Sequence, residues 1–192
     1  MRITGGMLRG RRVVVPRGKV RPTQDRVRQT LFSALGDRVQ GARFLDLFAG
    51  SGAVGLEAWS RGAGYVCWVE SAPAVARVMR RNIEALCDAD AGSTCVVGAD
   101  AFRFLASLRG PQEGGFDIVF ADPPYDRGGT NRWIPRILAA LVRIDGLAAD
   151  GLVAVELGGS DPCEVREGWR VVRDRTYGGT RLLFLTNGRT EP

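Results

Sequence analysis

Two short stretches of this chain hold residues whose types and spacing could do chemistry. In the first, the apolar run Phe44-Leu-Asp-Leu-Phe48, with one acid at Asp46, leads into a turn carrying Gly50, Gly52 and Gly55, and Ala53 to Arg61 then reads as a helix. Strand, glycine turn and helix in that order let the backbone reverse tightly and approach a ligand where a Cβ would collide. Glu70 ends the next apolar run, where a carboxylate can accept ribose hydroxyls. Taken alone, this pattern is shared by NAD and S-adenosylmethionine enzymes, and a bare glycine turn can also exist without any ligand.

In the second stretch, Asp122-Pro123-Pro124-Tyr125 closes the apolar run Phe116 to Ala121. Four specified residues meet by accident in a chain this long with a probability on the order of 10^-3. Two successive prolines fix the backbone and leave carbonyls without neighbouring amide donors. A rigid turn of this kind presents a carboxylate, carbonyl acceptors and an aromatic face together. The plain alternative is a proline-rich turn with a packing tyrosine.

The elements that must position these residues alternate. Strands are expected at Phe44 to Phe48, Tyr65 to Val69, Thr94 to Val97, Phe116 to Phe120 and Leu152 to Leu157, and helices at Ala53 to Arg61, Ala74 to Cys87, Ala101 to Leu108 and Trp133 to Val142. Apolar strands alternating with helices predict an α/β fold, a parallel sheet with helices on both faces. Two last extended pieces, Arg170 to Arg173 and Arg181 to Leu185, read as an antiparallel hairpin closing the sheet edge. Asp46, Glu70, Asp100 and Asp122 each fall at or near a strand end, the rim where ligands of such sheets bind. Before the sheet, Met1 to Val15 reads as a small hairpin. Thr23 then caps a helix whose stripe of Val27, Leu31, Phe32 and Leu35 is core, leaving Arg21, Asp25, Arg26 and Arg28 for ligands.

Composition narrows the chemistry. The 192 residues hold no histidine, which excludes imidazole bases, histidine triads and histidine metal sites. The four cysteines, Cys67, Cys87, Cys95 and Cys163, show no zinc or redox spacing and read as reduced core thiols, so no metal is expected. No apolar run approaches the roughly 20 residues of a membrane span, and a cytoplasmic protein is expected. Within the net charge of +6, residues 1–43 carry +9 and the remainder −3. A basic segment on a near-neutral body points to a polyanion, most naturally nucleic acid.

The Asp-Leu-Phe-Ala-Gly-Ser-Gly turn followed by Asp-Pro-Pro-Tyr resembles the S-adenosylmethionine-dependent amino-methyltransferases. More narrowly, Arg2-Ile-Thr-Gly-Gly, Arg9-Gly-Arg, Arg21-Pro-Thr-Gln-Asp-Arg-Val-Arg-Gln-Thr-Leu-Phe and Tyr177-Gly178 with Thr180 resemble the RsmD family, bacterial 16S ribosomal RNA guanine-N2 methyltransferases. Gln29 stands where the family leads one to expect glutamate, and Cys67-Trp68 is unusual in the second strand. The resemblance implies a Rossmann-like class I methyltransferase fold: a mostly parallel seven-stranded sheet with an antiparallel C-terminal hairpin and a small basic N-terminal hairpin. It divides the chain into a basic arm at 1–20, a methyltransferase domain at 21–188 and a loose tail at 189–192.

The implied cofactor is S-adenosyl-L-methionine, held by Arg26, Asp46, Phe48, Gly50, Gly52, Glu70, Ser71, Asp100 and Ala101. The implied catalytic residues are Asp122, Pro123, Pro124 and Tyr125, and the implied RNA contacts are Arg2, Arg9, Arg11, Arg12, Arg17 and Lys19. The expected partner is 16S rRNA within the 30S subunit or an assembly intermediate, met by a monomer with no membrane association. Three other readings compete. A DNA adenine-N6 or protein glutamine-N5 methyltransferase also modifies a planar amino group. An NAD-dependent oxidoreductase shares the glycines but leaves Asp-Pro-Pro-Tyr unexplained. An inactive ribosome-assembly binding protein would have no use for either motif.

Overall fold

The computed structural model describes residues 1–16, 25–87, 93–108, 115–124, 130, 132–159, 161 and 163–188. Arg17, Lys19, the helix start at Arg21 to Thr23, Tyr125 and the 189–192 tail lie outside the described residues. The chain divides into two compact units, Met1–Ala101 and Phe102–Pro192.

In the first unit a small hairpin comes first, joined by an antiparallel bridge between Arg2 and Arg12. Helix α1 (Asp25–Leu35) follows and buries the stripe expected of it, Val27, Leu31, Phe32 and Leu35. Strands β1 (Arg43–Leu47), β2 (Tyr65–Val69) and β3 (Thr94–Val97) then alternate with helices α2 (Ala53–Ser60) and α3 (Pro73–Leu86), and helix α4 (Ala101–Ser107) begins at the unit boundary. β2 pairs in parallel with both β1 and β3. By register Phe44, Val66 and Trp68 share one face of the sheet and Leu45, Leu47 and Val69 the other, all essentially without exposure.

The second unit holds β4 (Phe116–Ala121), helix α5 (Trp133–Arg143), β5 (Leu147–Gly158), β6 (Trp169–Tyr177) and β7 (Thr180–Asn187). β4 and β5 are parallel, while β7 is antiparallel to both β5 and β6. The strand order is β3-β2-β1-β4-β5-β7-β6. This is the mostly parallel seven-stranded sheet with a C-terminal antiparallel hairpin that the alternating pattern and the family resemblance predict. Three strands run longer than expected by three residues or more, β7 because it stays paired with β6 from Thr180 to Asn187. β5 begins at Leu147 because Phe116 pairs with it ahead of a register shift, and the intervening Ala-Ala-Asp-Gly carries no apolar signal. β6 extends to Tyr177 as an edge strand, where polar residues suit both faces. Among the described residues no helix is long and apolar enough to cross a membrane.

Candidate active site

In the first unit the turn between β1 and α2 is built by three backbone positions and two carboxylates. Phe48 has φ 62°, Gly50 φ 56° and Gly52 φ 80°, so the chain leaves β1 through left-handed conformations, and β1 ends at Leu47 rather than Phe48. Gly52 caps α2 at its N-terminus. Asp46, buried within β1, accepts the Gly55 N–H on Oδ2 at 2.9 Å and so fixes the first turn of the helix. Glu70, at the end of β2, accepts the Gly50 N–H on Oε2 at 2.9 Å and the Ala72 N–H on Oε1 at 2.8 Å. Its carboxylate is half-buried, and two accepted bonds leave about half of the roughly four acceptor positions of a carboxylate open.

The glycines have a second reason that the sequence concealed. A Cβ on Gly55 would stand 2.1 Å from Nε1 of Trp68, and one on Gly52 would stand 2.9 Å from Met79 Cγ. Trp68 lies fully buried beneath the turn and donates its indole N–H to the Gly52 carbonyl at 3.1 Å. The close approach expected toward a ligand is therefore, at Gly52 and Gly55, an approach to the protein's own β2 and α3. The tryptophan that looked unusual in the second strand is what fills this space.

The remaining residues expected at the cofactor are placed as follows. Arg26, Ser71 and Asp100 are exposed, Phe48 is half-buried and Ala101 is buried at the start of α4. In the second unit, β4 ends at Ala121, and Asp122 follows half-buried, Pro123 buried and Pro124 exposed. After Thr130 and Arg132, α5 opens with Trp133 stacked on Phe102 at 6.0 Å, with the Arg136 guanidinium 3.9 Å from the Phe102 ring centre.

The expected RNA contacts Arg2, Arg9, Arg11 and Arg12 are all exposed on the N-terminal hairpin. Sequence reasoning missed how that hairpin is held. Glu57, in α2 and without exposure, accepts Thr4 Oγ1 and N–H at 2.6 and 2.8 Å, Arg61 Nε at 3.0 Å and Arg28 Nε at 3.2 Å. Arg28, expected to be available for ligands, is instead fully buried. It spends its guanidinium on Glu57, on Asp25 and on the Arg2 carbonyl. Ser60 donates to the Gly5 carbonyl at 2.6 Å and accepts the Leu8 N–H, and a Cβ on Gly6 would collide with the Ser60 carbonyl. Asn82 joins Val14 to the Ser51 carbonyl. The Arg-Ile-Thr-Gly-Gly motif is thus the docking face of the hairpin. The signal that could have found its partners is a glutamate in an otherwise apolar α2.

Cys67 and Cys95, remote in sequence, are directly opposed on β2 and β3 beside Tyr65. Their hydrogen bond splits their titration. Cys95, which keeps some exposure, is lowered to about 6, and Cys67 is pushed well above the ordinary thiol range by that bond and by burial. No group of three potential metal ligands occurs among the described residues.

The family described as Conserved hypothetical protein 95 matches residues 1–186. The chain is 45% identical over 129 residues to Ribosomal RNA small subunit methyltransferase D of Escherichia coli (strain K12), covering 67% of this chain and 62% of that protein. The matched region therefore spans less than two thirds of that relative. It is 33% identical over 180 residues to the protein of the same name from Haemophilus influenzae, covering 93% of this chain and 89% of that one. The solved structure of yhhF from Escherichia coli aligns with a TM-score of 0.83 at 36% identity, over 99% of both chains.

Proposed function

This chain belongs to the family described as Conserved hypothetical protein 95, with the small-subunit rRNA methyltransferases D among its relatives, and from that premise we propose that it methylates the exocyclic N2 amine of a guanine in 16S rRNA. Its fold is the Rossmann-like class I methyltransferase fold. The observation that carries the reading is the turn Asp122-Pro123-Pro124 at the end of apolar β4. There a half-buried carboxylate precedes two residues with no N–H to offer, so the backbone at Pro123 and Pro124 presents acceptors only. A planar amine with two hydrogens is the group such a turn suits.

S-adenosylmethionine, when bound, supplies a methyl group already activated on a positively charged sulfur. The residues at the first unit's turn suit it. Glu70, fixed by two backbone amides yet half-exposed, keeps acceptor positions for ribose hydroxyls. Asp100 and the Ala101 amide would serve the adenine, Gly50 and Gly52 would form the backbone beside the ribose and methionyl portion, and Ser71 and Phe48 would complete the site. Arg26 takes the amino-acid carboxylate. Asp46 acts as a positioning residue, because one of its oxygens is committed to Gly55.

On the substrate side, the guanine amine is conjugated with its ring and its lone pair is poorly available. The Asp122 carboxylate and the Pro123 carbonyl accept hydrogen bonds from its two N–H groups and turn the lone pair outward, and Asp122 takes up the one proton that nitrogen sheds once it is methylated. Both acceptors strengthen as positive charge develops on nitrogen, which favours the transition state over the ground state. Tyr125 stacks on the base and holds its plane. A paired guanine must first leave its helix. The protein acts on RNA of the small subunit or its assembly intermediate, as a monomer.

The test is methyl transfer from radiolabelled donor to naked 16S rRNA and to small subunits, with the product mapped to guanine N2. Asp122→Ala should lose at least about a thousandfold in turnover, roughly 4 kcal/mol of transition-state stabilisation, while calorimetry gives unchanged donor affinity. Wild-type turnover in that variant would end the mechanism.

A further inference from the structure

The C-terminal hairpin carries a charged face that charge counted along the chain does not reveal. β6 and β7 pair in the register Arg170↔Thr186, Val171↔Leu185, Arg173↔Phe184, Asp174↔Leu183 and Arg175↔Leu182, with a shift between Val171 and Arg173. Opposed residues of an antiparallel pair share a face, and neighbours along a strand alternate. In a regular strand Arg170 and Arg173 would point to opposite sides. The extra residue, Val172, works as a β-bulge and returns them to one side. Arg170, Arg173 and Arg175 then lie opposite Thr186, Phe184 and Leu182, alternate positions of β7.

The acid within this run faces the other way. Asp174 is opposite Leu183, on the face of Arg181, whose Nε and NH2 donate to its two oxygens at 2.9 and 2.6 Å. All three arginines are exposed. Among the described residues the side chains of Arg170 and Arg173 have no ion-pair or hydrogen-bond partner, and that of Arg175 donates only to the Asp174 carbonyl. Arg173 and Arg175 are two residues of strand apart, about 6.5 Å, so the row repels itself until a polyanion lies along it. Tyr177, half-buried, ends the same face opposite Thr180.

We propose that this face of β6 is a second contact surface for the phosphate backbone of the substrate RNA, apart from the arginines of the N-terminal hairpin. The proposal rests on the reading that the substrate is RNA. A guanidinium pairs two phosphate oxygens at once, and a row of three fixed on a strand sets the direction of the bound backbone without reading its sequence.

The test is a salt series of binding to labelled 16S rRNA by the full chain and by the variant R170Q/R173Q/R175Q, with donor affinity by calorimetry as the control for folding. Loss of three phosphate contacts should lower the slope of log affinity against log salt by about 2 to 3 and weaken binding at least about tenfold at moderate salt. The triple arginine-to-lysine variant should keep the wild-type slope. A folded glutamine variant with wild-type slope and affinity would overturn the proposal and leave the methyl-transfer reading intact. Wild-type protein that binds the RNA with this slope but transfers no methyl would sink that reading and leave the surface standing. Loss of solubility with an unchanged slope would mean that the charges only keep an edge strand from pairing with another chain, and would also overturn the proposal.

Discussion

The two ends of helix α2 are built from the same materials and do different things. Both present a carboxylate to backbone amides and both lie beside glycines. At the C-terminal end, Glu57 is without exposure and takes donors from Thr4, Arg28 and Arg61 on its two oxygens, so its acceptor capacity is used up. At the N-terminal end, Glu70 takes two backbone amides and stays half-exposed. Acceptor positions left open in a fixed carboxylate are what distinguish a candidate binding group from a structural one. The strength of the bonds already made does not, since both groups are held at ordinary distances.

The sharpest way to break this comparison is at Glu57. Glu57→Ala leaves the fully buried Arg28 guanidinium without its buried carboxylate and frees the hairpin at Thr4, and removing one partner of a buried pair costs about 3–5 kcal/mol. Urea denaturation should find that loss, with Glu57→Gln losing less because an acceptor oxygen remains. A loss below about 1 kcal/mol would place Glu57 outside the fold's essential contacts. The same anchor shows why deleting residues 1–20 is a poor probe of RNA binding. The deletion uncovers the Glu57 and Arg28 pair, so weakened binding would mix misfolding with lost charge. Neutralising Arg2, Arg9, Arg11 and Arg12 leaves the anchor in place.

The next largest effect is expected at Gly55. An alanine there sets a Cβ 2.1 Å from Trp68 Nε1, and the indole cannot move without giving up its bond to the Gly52 carbonyl. Overpacking of this kind costs about 1–3 kcal/mol. In a Trp68→Phe background the Gly55→Ala cost should fall, and a double-mutant cycle in denaturant reads that coupling directly. Strict additivity would show that the glycine's confinement has some other source.

These examples also show what was legible beforehand. The sheet, the glycine turn and Glu70 were readable because each leaves a local signature: apolar runs of strand length, glycines at set spacing, an acid closing a strand. The clasp of Glu57, Arg28 and Ser60 on the N-terminal hairpin was not readable. Asp25 and Arg61 are near in sequence, but the hairpin partners and the pair of Arg28 with Glu57 lie 26 to 55 residues apart, and the lone acid in an apolar α2 says only that Glu57 needs a partner, not which. Arg28 sits three residues before Leu31 and four before Phe32, so the helical period itself sets it beside the buried stripe, and only its charge argued for solvent. The arginine row of β6 was hidden for a different reason. Alternation places Arg170 and Arg173 on opposite faces, and only the paired register reveals the bulge that unites them. The opposition of Cys67 and Cys95 is likewise a product of register, invisible in spacing.

The smallest expected effect on stability is at Glu70, and its smallness is what tests the comparison. Glu70→Ala removes two bonds to backbone amides, one of them at a half-exposed turn where water can replace the carboxylate, so unfolding should shift by only about 1 kcal/mol. If the open acceptor positions serve ribose hydroxyls, donor affinity should nevertheless fall by at least about tenfold, since a charged acceptor lost from a hydroxyl is worth roughly 1.5–3 kcal/mol. Glu70→Gln keeps one acceptor oxygen and should fall between. The outcome that breaks the comparison is the reverse pattern: a large stability loss with donor affinity unchanged would make Glu70 a second Glu57, a structural clasp with nothing left to offer a ligand.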